Sequence, residues 1–152
     1  MPGRTYPLWR CAEFAALFLA FAPVPAALAD TDDGIRIGAL RAHLYYERSG
    51  FLSDDLIARD PPFVGWNTVI GAGDALEPAD NILVVVVLDN PGGEVWLDET
   101  VTLRVSGAAE ADGREQAFSG LLLGANSKLH LPLWLDDAGC VGAITITARF
   151  RK

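Results

Sequence analysis

Thiols, imidazoles and thioethers are scarce in this chain: 152 residues hold two cysteines, two histidines and one methionine. With Cys11 inside an N-terminal segment that reads as removable, Cys140 is the only thiol left and no internal disulfide can form. The core must then be held by burial. Cys140 is buried and inert, joined to another chain, or a reactive thiol. A secreted blue-copper protein would need a histidine shortly after its cysteine and usually a methionine beyond. Nothing downstream of Cys140 supplies either, and Met1 is the initiator. No Gly-x-Ser-x-Gly elbow is present, and the glycine-rich stretch near residue 72 lacks the lysine of a phosphate-binding loop. Positive charge is also short: 12 Lys and Arg face 20 Asp and Glu, a net −8. Nucleic acid and anionic lipid surfaces are poor partners for such a chain.

The first 29 residues fix the expected compartment. Arg4 and Arg10 form a basic start and Phe14 to Ala22 is an apolar run too short for a comfortable bilayer span. Pro23 and Pro25 come next, and Ala27-Leu28-Ala29 gives the small-x-small pattern of a signal-peptidase site. Residues 1–29 are read as a cleaved secretory signal and residues 30–152 as one domain, exported to the periplasm or the extracellular space. The remnant carries 19 acidic and 10 basic side chains, a formal −9. No later apolar run is long enough for a membrane, so no stable insertion is expected after cleavage.

Period-two alternation dominates the remnant, as half-buried strands require. Leu40, Ala42, Leu44 and Tyr46 share one face. Val101, Leu103 and Val105 repeat the pattern, as do Leu129 to Leu135 and Ile144 to Phe150. The run Ile82 to Leu88 is apolar throughout and predicts a central strand covered on both faces. Pro132 has no N–H to donate, so its strand is expected at an edge or at a bulge. Turn compositions separate the runs, among them Asp89-Asn90-Pro91-Gly92-Gly93 and Asp136-Asp137-Ala138-Gly139. One short helix is expected over Ser53 to Arg59, with Ser53 as cap, Asp54 and Asp55 in its first turn, and Asp60-Pro61 ending it. Residues 61–81 read as a long loop around a strand at 67–70. The class is all-β, an antiparallel sandwich with one short helix and a long loop.

From Asn81 onward the order of features resembles the bacterial immunoglobulin-like modules of the CARDB type. The likeness rests on a strand ending in Asn90-Pro91-Gly92, a second strand Thr100 to Ser106, and Leu121-Leu122-Leu123-Gly124 before a polar turn. Lys128 to Leu135, a glycine-containing corner and a final strand Ala143 to Phe150 complete it. It covers about half the chain, and the N-terminal half has no counterpart. The resemblance implies an immunoglobulin-like fold and roles in adhesion or assembly on exported proteins; it implies no catalytic residues.

Four constellations are candidate sites. Asp74, Glu77 and Asp80, beside two glycines, offer oxygen ligands of the kind calcium takes, without the spacing of an EF-hand; glycines and acids in a loop equally serve as turn formers. Trp66, Trp96 and Trp134 remain after cleavage, and Trp134 falls on the face opposite Leu133 and Leu135, where it could stack on a sugar ring or anchor a protein. Burial under a loop is the competing reading. His130, Pro132 and Trp134 would line an edge strand open to a partner, although proline also discourages such pairing. Cys140 is the fourth. The sequence therefore predicts an exported, non-catalytic protein-interaction or accessory module with no obligatory cofactor. The alternative is a glycan-binding module, with or without the help of calcium.

Overall fold

Alternation in the sequence becomes antiparallel pairing in the fold. The computed structural model describes residues 34–64, 68–107, 114–138 and 144–151. The segment 1–29, Trp66 and Cys140 lie outside the described residues. Among these, nine strands form: β1 Arg36–Tyr46, β2 Phe51–Leu52, β3 Asn81–Asn90, β4 Val95–Leu97, β5 Thr100–Gly107, β6 Arg114–Phe118, β7 Leu121–Leu123, β8 Ser127–Leu135 and β9 Ile144–Arg151. One sheet runs β2-β1-β3-β8, a second β6-β5-β9, and β4 pairs with β7 in a short ribbon. The protein is all-β, with antiparallel sheets and a curled half-barrel.

The apolar run of β3 is central, between β1 and β8, as its composition predicts. Its inward residues Ile82, Val84, Val86 and Leu88 are fully buried. On the other face Leu83 and Val85 are only half-buried, so this face is less covered than the sequence implies. In β1, Ile37 pairs with Leu88 and Ala39 with Val87, leaving Gly38 as the extra residue of a bulge. The bulge resets the alternation, so that Ile37 before it and Leu40, Ala42 and Leu44 after it all turn inward. A Cβ at Gly38 would overlap the Asp89 carboxylate, so a larger residue there would have to displace that side chain.

Both sheets feed one apolar cluster. Leu44, Val84 and Leu133 come from the first, Val101, Leu103 and Ile146 from the second, and Leu97 and Leu123 from the ribbon. Phe63, Ala75 and Ala79 anchor the 61–80 loop to the same core.

Two local expectations are corrected. Ser53 to Arg59 is not a helix. Its polar side chains instead continue the edge of β1: Leu44 N–H donates to Ser53 Oγ at 2.9 Å and Ala42 N–H to Asp55 Oδ1 at 3.2 Å. Leu56 N–H donates to Ala42 C=O at 2.8 Å. The side chains that would cap a helix satisfy a neighbouring strand, and residues 56–58 form only a turn. The strand expected at 67–70 is a 3-10 turn, Thr68–Ile70. The carbonyl of Thr68 accepts from Gly71 N–H at 3.0 Å and Ala79 N–H at 2.7 Å, closing the loop on itself.

Candidate functional site

Register decides where the outward side chains of the first sheet meet. His43 pairs with Leu83, which pairs with Trp134; Tyr45 pairs with Leu52. Paired residues share a face, so Leu52, Tyr45, Leu83 and Trp134 form one outward row-and-diagonal group. The Tyr45 and Trp134 rings meet edge to face, centroids 5.5 Å apart at 86°, an arrangement favoured by the ring quadrupoles. Trp134 is 44% exposed. His130 and Pro132 share its outward face on β8.

β8 is the edge strand that Pro132 predicts. Proline cannot donate to β3, so the backbone groups of His130, Pro132 and Trp134 that share its orientation point away from the sheet. Trp134 C=O accepts from Arg114 Nη1 at 3.4 Å, and the same nitrogen bonds Asp136 Oδ2 at 3.0 Å. Arg114 thus closes one end of the edge.

Further exposed apolar side chains lie at the end of the sheet, with Phe51 on the face opposite Leu52. Phe51, next to Leu52, is 71% exposed and pairs with Tyr46. The Tyr46 hydroxyl accepts from Leu76 N–H at 3.2 Å, which holds Leu76, 86% exposed, at the same end. Ile70 is 69% exposed in the same loop, and Val64 is exposed as well. These side chains stand on a hydrogen-bonded frame. Asp74 N–H donates to Val64 C=O at 2.8 Å, Val64 N–H to Asp74 Oδ2 at 3.0 Å, and Asp80 N–H to Glu47 Oε1 at 3.1 Å. At Gly71, with φ of 71°, a Cβ would lie 3.2 Å from the Glu77 and Pro78 backbone. Glycine there lets the loop close.

The structure separates some residues that the sequence grouped. Trp96 is 64% exposed, but it pairs with Leu122 on the ribbon beyond the far end of β3. Leu83 and Asn90 alone are seven positions apart along β3, roughly 23 Å at 3.3 Å per residue. Trp96 and Trp134 therefore do not share a site. Asp74 is engaged by Arg59 at 3.7 Å as well as by Val64. Glu77 Oε2 is buried without a hydrogen-bond partner. Among the described residues no three His, Cys, Asp or Glu side chains are grouped as a metal site would need.

Phe51, Ile70 and Leu76 escaped the sequence reading because each stands in an apolar pair among polar and turn residues, too short for periodicity. Their signal is compositional: large apolar side chains placed in a segment rich in Gly, Pro and Asp. Like Leu52 and Trp134 on the outward face, they leave apolar area in reach of a partner. No family model, curated protein or solved structure matches the chain.

Proposed function

We propose that this chain is an exported, non-catalytic protein-interaction module, an immunoglobulin-like β-sandwich released by cleavage of residues 1–29. Two sheets feeding one core support the architecture. The observation that carries the function is the display of large apolar side chains in two neighbouring places, Trp134, Tyr45 and Leu52 on the outward face of the first sheet and Phe51, Ile70 and Leu76 at the adjoining end. Large apolar side chains clustered on a surface mark interaction sites, because leaving them in water is unfavourable. The Tyr45–Trp134 pair supplies side chains of the types enriched among the anchors of protein interfaces.

The test is capture of partners from the native compartment by the tagged full chain, comparing Trp134→Ala with Phe51→Ser and with Trp96→Ala as a distant control. Specific partners lost with the first two variants and kept with the third support the docking surface. Partners indifferent to Trp134 and Phe51 rule it out. A glycan-binding reading draws on the exposure of Trp96 and Trp134, since stacking on a sugar needs an accessible indole face. Binding to a glycan array abolished by either tryptophan substitution, with no protein captured, would favour that reading instead.

A further inference from the structure

The end of the molecule that carries the apolar loop is also its acidic end. Between residues 47 and 80 the chain has seven acidic side chains and two basic ones. One of the two, Arg59, pairs with Asp74 and lies over the Phe63 ring, 5.9 Å from its centroid. Ala138 N–H donates to Asp80 C=O at 2.7 Å, which brings the Asp136-Asp137 turn to the same end. Asp136 is matched by Arg114. Asp54, Asp60 and Asp137 are exposed. Phe51, Ile70 and Leu76 are thus displayed at an end where exposed acidic side chains outnumber exposed basic ones, Arg48 in the turn before Phe51 being a cation among them.

That combination discriminates between occupants. A bilayer with anionic headgroups would be repelled by this acidic excess as the apolar tips approached. A second copy meeting this one tip to tip would set two acidic ends against each other, which costs association. A protein segment carrying aliphatic or aromatic anchors among Lys and Arg satisfies both features at once. We infer that the loop end formed by Phe51, Ile70 and Leu76 docks such a cationic, amphipathic segment of a partner protein. This rests on the proposed docking function and specifies the partner's chemistry.

The test uses the full chain and three probes: a synthetic peptide alternating Leu and Lys, its Leu and Glu counterpart, and phosphatidylcholine vesicles with and without phosphatidylglycerol. Two variants accompany them, Phe51→Ser/Leu76→Ser and Asp54→Asn/Asp60→Asn/Asp137→Asn. All five side chains are exposed, so melting temperatures should stay near that of the parent. The expected result is binding of the Lys peptide only. The Ser variant should weaken it more than tenfold. The Asn variant should weaken it about tenfold at low salt and flatten its salt dependence, because exposed charges act mainly on encounter. Equal binding of the Glu peptide, sedimentation with vesicles, or self-association abolished in the Ser variant would overturn the inference. Natural partners that need Phe51 and Leu76 yet ignore the Asn variant would also overturn it while leaving the docking surface standing. Natural partners indifferent to Phe51, Leu76 and Trp134 alike would remove the docking surface itself.

Discussion

Asn90 shows how one side chain joins two turns that are distant in sequence. Its Nδ2 donates to Gly93 C=O and to Gly124 C=O, both at 2.7 Å, and its Oδ1 accepts from Gly92 N–H at 3.0 Å. The residue is 2% exposed, so water cannot replace these bonds easily. Asn90→Ala should cost about 2–3 kcal/mol, the sum of modest net hydrogen-bond terms and two poorly satisfied carbonyls. Asn90→Asp should cost at least as much, since a carboxylate oxygen would face carbonyl oxygens where a donor now stands. Urea unfolding checks both: the midpoint should fall while the slope stays unchanged. The turn around Asn90 was legible from composition, because Asn followed by Pro and Gly favours side-chain-to-backbone bonding. The reach to Gly124 was not, since nothing local marks a partner 34 residues away. Gly38 is a similar case. Ile37 and Leu40 stand three apart, a break in the period of two, but the reason is the bulge and the Asp89 carboxylate held by Arg36 at 3.7 Å and Lys128 at 3.1 Å.

At the level of elements, length and burial decided what could be read. β1, β3, β5, β8 and β9 each have eight or more residues with one face in the core, long enough for alternation to show. β2, β4 and β7 have two or three residues, too few for any period. β6 is exposed at Arg114, Glu115, Gln116 and Ala117 in succession, so neither face leaves an apolar trace. Ser53 to Arg59 misled for a different reason: Ser and Asp favour helix caps and strand-edge bonds by the same chemistry, and only the proximity of β1 chooses. Pro132 carried its information reliably, and it sets a prediction for β8. Pro132→Val would restore an outward N–H to an edge already flanked by His130 and Trp134. The variant should keep or slightly raise thermal stability, because valine suits a strand, while shifting the protein toward dimers and larger species. Light scattering across a concentration series reads this. A variant that stays as monomeric as the parent would show that Arg114 and the neighbouring strands, rather than proline, protect the edge.

Across the whole molecule, the two ends of β3 are chemically different but share one core. Trp134 reports from the apolar, acidic end. Trp96 reports from the β4–β7 ribbon, tied inward by buried Leu97 and Leu123 and by the Asn90 clamp. The 61–80 loop adds Phe63, Ala75 and Ala79 to the same cluster. That this segment would be a long loop was legible, because it lacks the alternation of the strands around it. That it would present Ile70 and Leu76 outward was not, because exposure depends on what packs beneath, and Phe63 takes the inward place. With both larger sheets, the ribbon and the 61–80 loop contributing to one core, loss of any part exposes the rest, so unfolding should be cooperative. In full chains that keep only Trp96 or only Trp134, fluorescence should give the same midpoint within about 1 °C, coincident with the far-ultraviolet circular dichroism transition. A Trp96 signal that moves at lower temperature would make the ribbon a separately opening unit. The core would then be held by the two larger sheets alone, with Asn90 clamping a ribbon to a fold already complete without it.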